Sequence, residues 1–256
     1  MTTENTLISI LAGYEARLGT PWSLTGDMVI VGDTHIPYTD YVFAERVTMI
    51  GKRHLRKPRK LLLAGDFFSL DNFSHYLAVV TPPTWAEERE YARSLIHYWL
   101  DVFDEIWMLM GNHERRLQKW TEGAFEEKDL LALITTSDKV KMSNRGWCTV
   151  EGAGRTWRVT HSKNYSVNQL TVADQLAWKF EANIISFHEH HLSKGFDRFG
   201  NHVIVNGGCL VDPNKLAWVV LDDSKAAGMK KGFVLFKNGS AEPLGEAPFT
   251  DWSKWL

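Results

Sequence analysis

Short apolar runs alternate with amphipathic stretches through the first half of the chain. Residues 27–32, Asp-Met-Val-Ile-Val-Gly, form an apolar run closed by glycine, the pattern of a buried strand. Tyr41–His54 follows with Val42, Val47 and Ile50 at helical spacing, and residues 60–65, Lys-Leu-Leu-Leu-Ala-Gly, repeat the strand pattern. Residues 85–103 read as a long amphipathic helix, 105–111 as a third strand, and Glu114–Trp120 and 126–135 as further helices.

The second half is richer in strand signals. Residues 147–150 and 156–161 flank Gly152-Ala153-Gly154-Arg155, a hairpin turn by composition. Residues 168–180 read as a helix, and Asn183–Phe187, 202–205, 217–221 and Gly232–Lys237 as strands. Residues 241–256 look irregular, pinned by Trp252 and Trp255. Strand–helix alternation followed by a strand-rich half predicts an α/β sandwich of two sheets with mixed pairing. No repeat, low-complexity tract or linker divides the chain, so a single domain over 1–256 is expected. An N-terminal extension of about 24 residues and a tail from about 240 onward would pack on it.

Composition agrees with a folded chain of this kind. Its 256 residues are 44% hydrophobic and 23% charged, and a chain of this length buries about 73% of its unfolded surface. A core needs no disulfides, and a disordered regulator, a fibre and a coiled coil are excluded. Net charge is −2, so no global basic field attracts nucleic acid or acidic lipid. Cys148 and Cys209 are too few for a disulfide framework or a zinc site. With no secretion signal and no run approaching ~18 apolar residues, a cytoplasmic location without membrane contact is expected. Most of the eleven tryptophans read as core filling.

The chemistry lies at the strand ends. Gly32-Asp33-Thr34-His35 closes the first strand, Gly65-Asp66 the second and Gly111-Asn112-His113-Glu114 the third. Later strands end in His161 and in Phe187-His188-Glu189-His190-His191. Loops beyond the carboxyl ends of strands are where open α/β sheets bind ligands. Carboxylate, amide and imidazole donors in this mixture suit divalent Mn, Fe, Zn or Ni. Seven donors exceed one ion's needs but suit two ions sharing a carboxylate. Two divalent ions against Asp33 and Asp66 leave a cationic pocket, and paired metals can clamp the attacking and leaving oxygens of a phosphate ester.

Asp-x-His, Gly-Asp, Gly-Asn-His-Glu, a lone His and His-x-His, in this order from Asp33 to His190, resemble the calcineurin-like metallophosphoesterase superfamily. Val205-Asn206-Gly207-Gly208 resembles the asparagine–glycine turn that follows in that family. The resemblance implies a four-layer αββα sandwich of two mixed β-sheets flanked by helices, holding a dinuclear site. By motif position Asp33, His35, Asp66 and His190 would hold one ion. Asp66, Asn112, His161 and His188 would hold the other, with Asp66 bridging. His113 would be the catalytic acid, and a hydroxide bridging the ions the nucleophile. Manganese is the first expectation for both ions, with iron, zinc, nickel or magnesium as alternatives.

Two departures from the family pattern stand out. Phe187 occupies the place of a glycine before His-x-His. The Asp-Arg-Gly of the serine/threonine protein phosphatases is replaced by Asp66-Phe67-Phe68-Ser69-Leu70-Asp71, so their phosphate-gripping arginine is missing from that place, and Asp71 or Glu114 is left to orient His113. Arg115, Arg116, Phe67 and His75 are candidates for substrate contact. Aromatic residues beside the ligands and the missing arginine point toward a phosphodiester, in a nucleotide or nucleic acid. A phosphomonoesterase acting on a small metabolite or terminal nucleic-acid phosphate is the alternative, and a non-catalytic scaffold a third reading. Oligomeric state, pathway and physiological substrate are left open.

Overall fold

The computed structural model describes residues 19–74, 80–222 and 228–256. Twelve described strands form two six-stranded sheets. The first has the order β12-β11-β2-β3-β4-β5 and is built from β2 (Met28–Val31), β3 (Lys60–Ala64), β4 (Glu105–Leu109), β5 (Val140–Ser143), β11 (Gly232–Lys237) and β12 (Ser240–Gly245). The second has the order β1-β6-β7-β8-β10-β9. It comprises β1 (Ser23–Thr25), β6 (Trp147–Gly152), β7 (Arg155–His161), β8 (Asn183–Phe187), β9 (Leu192–Phe196) and β10 (Val203–Gly207). β2 through β5 pair in parallel while β11 and β12 run antiparallel. In the second sheet β1–β6, β7–β8 and β8–β10 pair in parallel, and β6–β7 and β9–β10 antiparallel.

Side chains alternating across each strand divide the interior into layers. Val29, Val31, Leu61, Leu63, Ile106 and Met108 point to one side, where they meet α1 (Tyr41–His54), α2 (Trp85–Leu100) and α4 (Glu127–Ile134) through Val47, Ile50, Ile96, Trp99 and Leu130. Met28, Ile30, Leu62 and Ala64 point to the other side, against Val159, Ile185 and Val205 of the second sheet. The outer face of that sheet is covered by α5 (Thr171–Phe180), with Ala173 and Ala177 on Ile184 and Ile204. The result is helix, sheet, sheet, helix. Local signals start the helices: the Asp40 carboxylate accepts from the backbone of Val42 and Phe43, and Thr84 and Glu87 form a capping box.

Several expectations need correcting. Residues 217–221 form helix α6 (Ala217–Asp222) rather than a strand. A five-residue apolar run has no readable period. A 3₁₀ turn at Pro213–Lys215, capped by Asp212, leads into the helix. Residues 240–245 form the edge strand β12, which tolerates Pro243 because the missing N–H lies at a sheet edge. Beyond it, Trp252 and Trp255 do pack against the helix-side core, and Arg46 stacks on the Trp252 ring 4.4 Å from its centroid. The short edge strands β1, β5 and β9 gave no signal of their own in the sequence. Helix α5 begins at Thr171, because the preceding Leu170 is left-handed and its N–H is taken by Asn206 at 2.7 Å.

Candidate metal centre

Neighbouring strands of both sheets deliver the polar loops. β2, β3 and β4 adjoin in one sheet and β7 and β8 in the other. Beyond their carboxyl ends lie Asp33 and His35, Asp66, and Asn112 and His113 from the first sheet, and His188 and His190 from the second, where His161 is itself the last residue of β7. The chain keeps ladder-like bonds past the strands: Asp33 N donates to Gly65 O at 3.1 Å and His35 N to Asp66 O at 3.0 Å.

Five of these residues have left-handed backbones: Asp33 (φ 51°), His35 (46°), Asp66 (50°), His188 (94°) and His190 (57°). Each costs of order 1–3 kcal/mol unless its surroundings enforce it. Glu114, at the start of α3 (Glu114–Trp120), supplies much of the enforcement. Its fully buried carboxylate accepts from Gly111 N at 2.7 Å, Asp66 N at 3.0 Å and Phe68 N at 3.0 Å, tying the β3 and β4 loops together. Burial, with Asp66 nearby, pushes its pKa up to about 7. Gly111 must be glycine, because a Cβ there would sit 2.1 Å from Asp66 Oδ1.

Three overlapping groups of donors result: Asp33, His35 and His190; His35, Asp66 and His113; and Asp66, His161 and His188. Asp66 Oδ2 lies 3.1 Å from His161 Nε2, 3.8 Å from His113 Nε2 and 3.9 Å from His35 Nε2. His190 Nε2 lies 3.1 Å from Asp33 Oδ1 and 3.2 Å from His35 Nε2, and Asn112 Oδ1 lies 3.0 Å from His161 Nε2.

This donor set fits divalent cations. Donor pairs about 3 Å apart match the edge of a coordination shell with bonds of ~2.0–2.1 Å. Two imidazole nitrogens facing each other at 3.2 Å need a proton or a cation in common. His161 Nδ1 lies 3.1 Å from the Ala64 carbonyl oxygen, which can only accept, so Nδ1 donates and Nε2 is the nitrogen turned to the centre. The charges agree. Burial alone would raise the Asp33 and Asp66 carboxyls, but the facing imidazoles hold both well below their ordinary range. Burial opposes a charged His161, yet Asp66 and Asp33 push its pKa up to about 9. The buried carboxylates thus draw positive charge to this spot.

His113 stands at the edge of the cluster. Its backbone N–H donates to Asp66 Oδ1 at 2.8 Å and its Nδ1 lies 2.7 Å from Ser69 O. Burial pushes its pKa down to about 3. Neither Asp71 nor Glu114 orients the ring. Glu114 faces the backbone of both loops, and Asp71 pairs with Arg116 at 3.0 Å. The orienting group is a backbone carbonyl, which no side-chain pattern reveals. The loop carrying that carbonyl is gripped by Glu88 of α2, whose buried Oε1 accepts from Ser69 N at 2.7 Å and Leu70 N at 2.8 Å.

The candidates for substrate contact separate. Arg116 lies at the centre, with Nη2 3.0 Å from His113 Nε2. Arg115 turns away, donating to Asn144 O at 2.7 Å. Phe67 is 1% exposed and packed on Phe68 and Trp99 in the helix-side core, so it cannot stack on a substrate. The next residue's N–H is held by Glu114, and this turns the loop's aromatics inward. His75 lies outside the described residues.

Phe187 occupies space that glycines leave open. A Cβ on Gly32 or Gly207 would sit 2.3 or 2.2 Å from its ring, so two glycines, one just past β2 and one ending β10, accommodate the bulk before His188. Sequence reasoning also missed Glu189, a buried carboxylate between the two histidines. It accepts from Ser166 N and Asn206 Nδ2, both at 3.2 Å, and so ties the His-x-His turn to the loop after β7. The Asn206-Gly207 pair was the available signal for that tie.

Residues 27–221 match the family model for calcineurin-like phosphoesterases. No curated protein matches the sequence. Solved structures similar to this chain include Vps29 from Chaetomium thermophilum, with a TM-score of 0.44 and 9% identity over 86% of this chain and 96% of that one. A predicted phosphoesterase from Streptococcus pneumoniae has a TM-score of 0.36 and 13% identity over 86% and 98%. A cold-active protein-tyrosine phosphatase from a psychrophilic Shewanella has a TM-score of 0.39 and 12% identity over 90% and 84%. With the family model matched over most of its length, the chain belongs to the calcineurin-like phosphoesterase family.

Proposed function

We propose that the chain is a hydrolase that cleaves phosphate esters at two divalent ions shared across Asp66. One observation carries this reading: Asp66 Oδ2 stands 3.1–3.9 Å from imidazole nitrogens delivered by both sheets. When bound, two divalent ions would supply Lewis-acid activation of the phosphoryl oxygens and lower the pKa of water to near neutrality. Asp33, His35, Asp66 and His190 would hold one, and Asp66, Asn112, His161 and His188 the other. Imidazole and carboxylate donors suit manganese, the first metal to supply.

The residues of the chain then position and move the proton. In the net reaction water adds to phosphorus, the P–O ester bond breaks, and the leaving oxygen takes a proton. His113 turns Nε2 toward the reacting side, because its Nδ1 is committed to Ser69 O. That nitrogen is placed to assist the departing oxygen. Phe67 and Phe68 back the loop from inside the core, so they give no support to base stacking and a nucleic-acid substrate.

A reducing, cytoplasmic setting suits the two buried free thiols, Cys148 and Cys209. No helix among the described residues is long and apolar enough to cross a membrane. The deciding experiment loads the protein with Mn, Ni, Zn, Mg or Fe and screens mono-, di- and cyclic phosphate esters. Turnover that follows metal content supports the reading. Two bound ions without hydrolysis of any ester would make the chain a binding scaffold instead.

A further inference from the structure

The Arg116 guanidinium is fixed at the edge of the candidate centre by two acceptors on one nitrogen. Nη1 donates to Ser69 O at 2.8 Å and to Asp71 Oδ1 at 3.0 Å. The Tyr38 hydroxyl faces Asp71, and burial together with that negative charge raises the tyrosine pKa. The other nitrogen, Nη2, points at His113 Nε2, 3.0 Å away, and that ring nitrogen lies 3.8 Å from the shared Asp66 oxygen. Ser69 O thus aims two side chains at once, the His113 ring and the Arg116 fork. The Arg116 side chain is 20% exposed, so it is not sealed within the core.

We propose that Arg116 is the phosphoryl-gripping residue, that Asp71 is its positioning residue, and that the pair selects phosphomonoesters. The proposal rests on the phosphoesterase reading above and names the substrate class of that site. A monoester presents three terminal phosphoryl oxygens. Two divalent ions would take two of them, and the third needs a donor of its own. A planar guanidinium with a free second N–H on Nη2 is such a donor, and its hydrogen bond to an anionic oxygen is charge-assisted. In a diester the third position is an ester oxygen that bears a substituent and little charge. A fork pinned by Ser69 O and Asp71 yields little room for that substituent. The arginine missing after Gly-Asp is therefore replaced from the far side of His113, three residues further along helix α3.

The test uses the full chain loaded with Mn²⁺, compared with Arg116→Ala, Arg116→Lys and Asp71→Asn. Inorganic phosphate binding is measured by calorimetry at pH ~8, above the second ionisation of a phosphoryl group. Hydrolysis of p-nitrophenyl phosphate and of bis(p-nitrophenyl) phosphate is measured alongside. Arg116→Ala should bind phosphate ~10–100-fold more weakly, the scale of one hydrogen bond to a charged group. Its kcat/KM should fall by a similar factor for the monoester and much less for the diester, and added guanidinium should restore part of the loss. Asp71→Asn should move the same ratio in the same direction with manganese content unchanged, and Arg116→Lys should lie between. Unaltered phosphate affinity in Arg116→Ala, or equal loss on both esters, overturns the proposal. If the loaded protein hydrolyses neither ester while Arg116→Ala still loses phosphate, the anion grip stands and the hydrolase reading falls.

Discussion

His113 Nδ1 sits 2.7 Å from the Ser69 carbonyl oxygen. A carbonyl only accepts, so the ring proton is on Nδ1 and Nε2 is the nitrogen offered to Asp66 and Arg116. A carboxylate in the place of that carbonyl would tie the ring's charge to a titrating side chain. A backbone oxygen fixes the tautomer without adding charge, and the loop that carries it is held in turn by Glu88.

Replacing the ring tests its role. His113→Asn should lower turnover by ~10²–10⁴-fold, the usual worth of a positioned acid–base group. Metal content by elemental analysis should stay near wild type, because the Asp66 bond comes from the His113 backbone N–H and not from the ring. Parallel loss of metal would show that the ring is itself a ligand.

Asp66→Asn should behave in the opposite way. Asp66 Oδ2 faces nitrogens of three histidines, and an amide removes the charge that holds a cation there. Metal stoichiometry and activity should fall together, and full occupancy in this variant would show that Asp66 does not bridge.

Phe187→Ala should cost ~3–5 kcal/mol of stability, as expected for emptying a filled core site. The ring is 2% exposed and lies over Gly32 and Gly207. Chemical denaturation of the metal-free protein measures this directly. A loss below about 1 kcal/mol would mean that the neighbouring loops collapse into the space.

Glu88 predicts a pH effect. Burial raises its pKa from 4.5 to about 8. The folded state therefore holds this proton more tightly than the unfolded chain. The associated stability is fully present below about pH 4.5 and is lost as pH rises toward 8. Glu114 and Glu189 shift the same way, each to about 7. Glu88→Gln keeps an oxygen for Ser69 N and Leu70 N but cannot ionise, so its stability should decline less between pH 5 and 8, by ~1–3 kcal/mol. Urea midpoints across that range give the comparison, and parallel curves for both proteins would remove Glu88 as a titrating group.

The strand ends were legible because two signals coincide there. A short apolar run such as Met28–Val31 closes in glycine, and a donor such as Asp33 follows at once. Asp66 and Asn112 were found in the same way, and His161 and His188 as donors at strand ends that no glycine closes. What stayed hidden has no sequence period or is not a side chain. Residues 217–221 carry five apolar positions that suit either element. β12 contains a proline that the edge position excuses. The Ser69 carbonyl is invisible to any residue pattern. Phe67 looked like a pocket wall because it follows Asp66, yet Glu114 draws in the Phe68 N–H and the aromatics turn into the core. Arg115 and Arg116 are adjacent in sequence, and only the helix phase of α3 separates the one facing Asn144 from the one facing His113.

The proposed ligand set is divided between the two sheets, with Asp33, His35, Asp66 and Asn112 on one and His161, His188 and His190 on the other. A pair of cations held among them would act as a rivet through the sandwich, adding to the apolar faces and to cross-sheet hydrogen bonds such as His161 Nδ1 to the Ala64 oxygen and His188 N to Asp33 Oδ2. Occupancy and mechanical integrity are then linked, and at a hundred times the dissociation constant a single bound ion adds about 2.7 kcal/mol against unfolding. A chelator would loosen the seam as well as silence the chemistry.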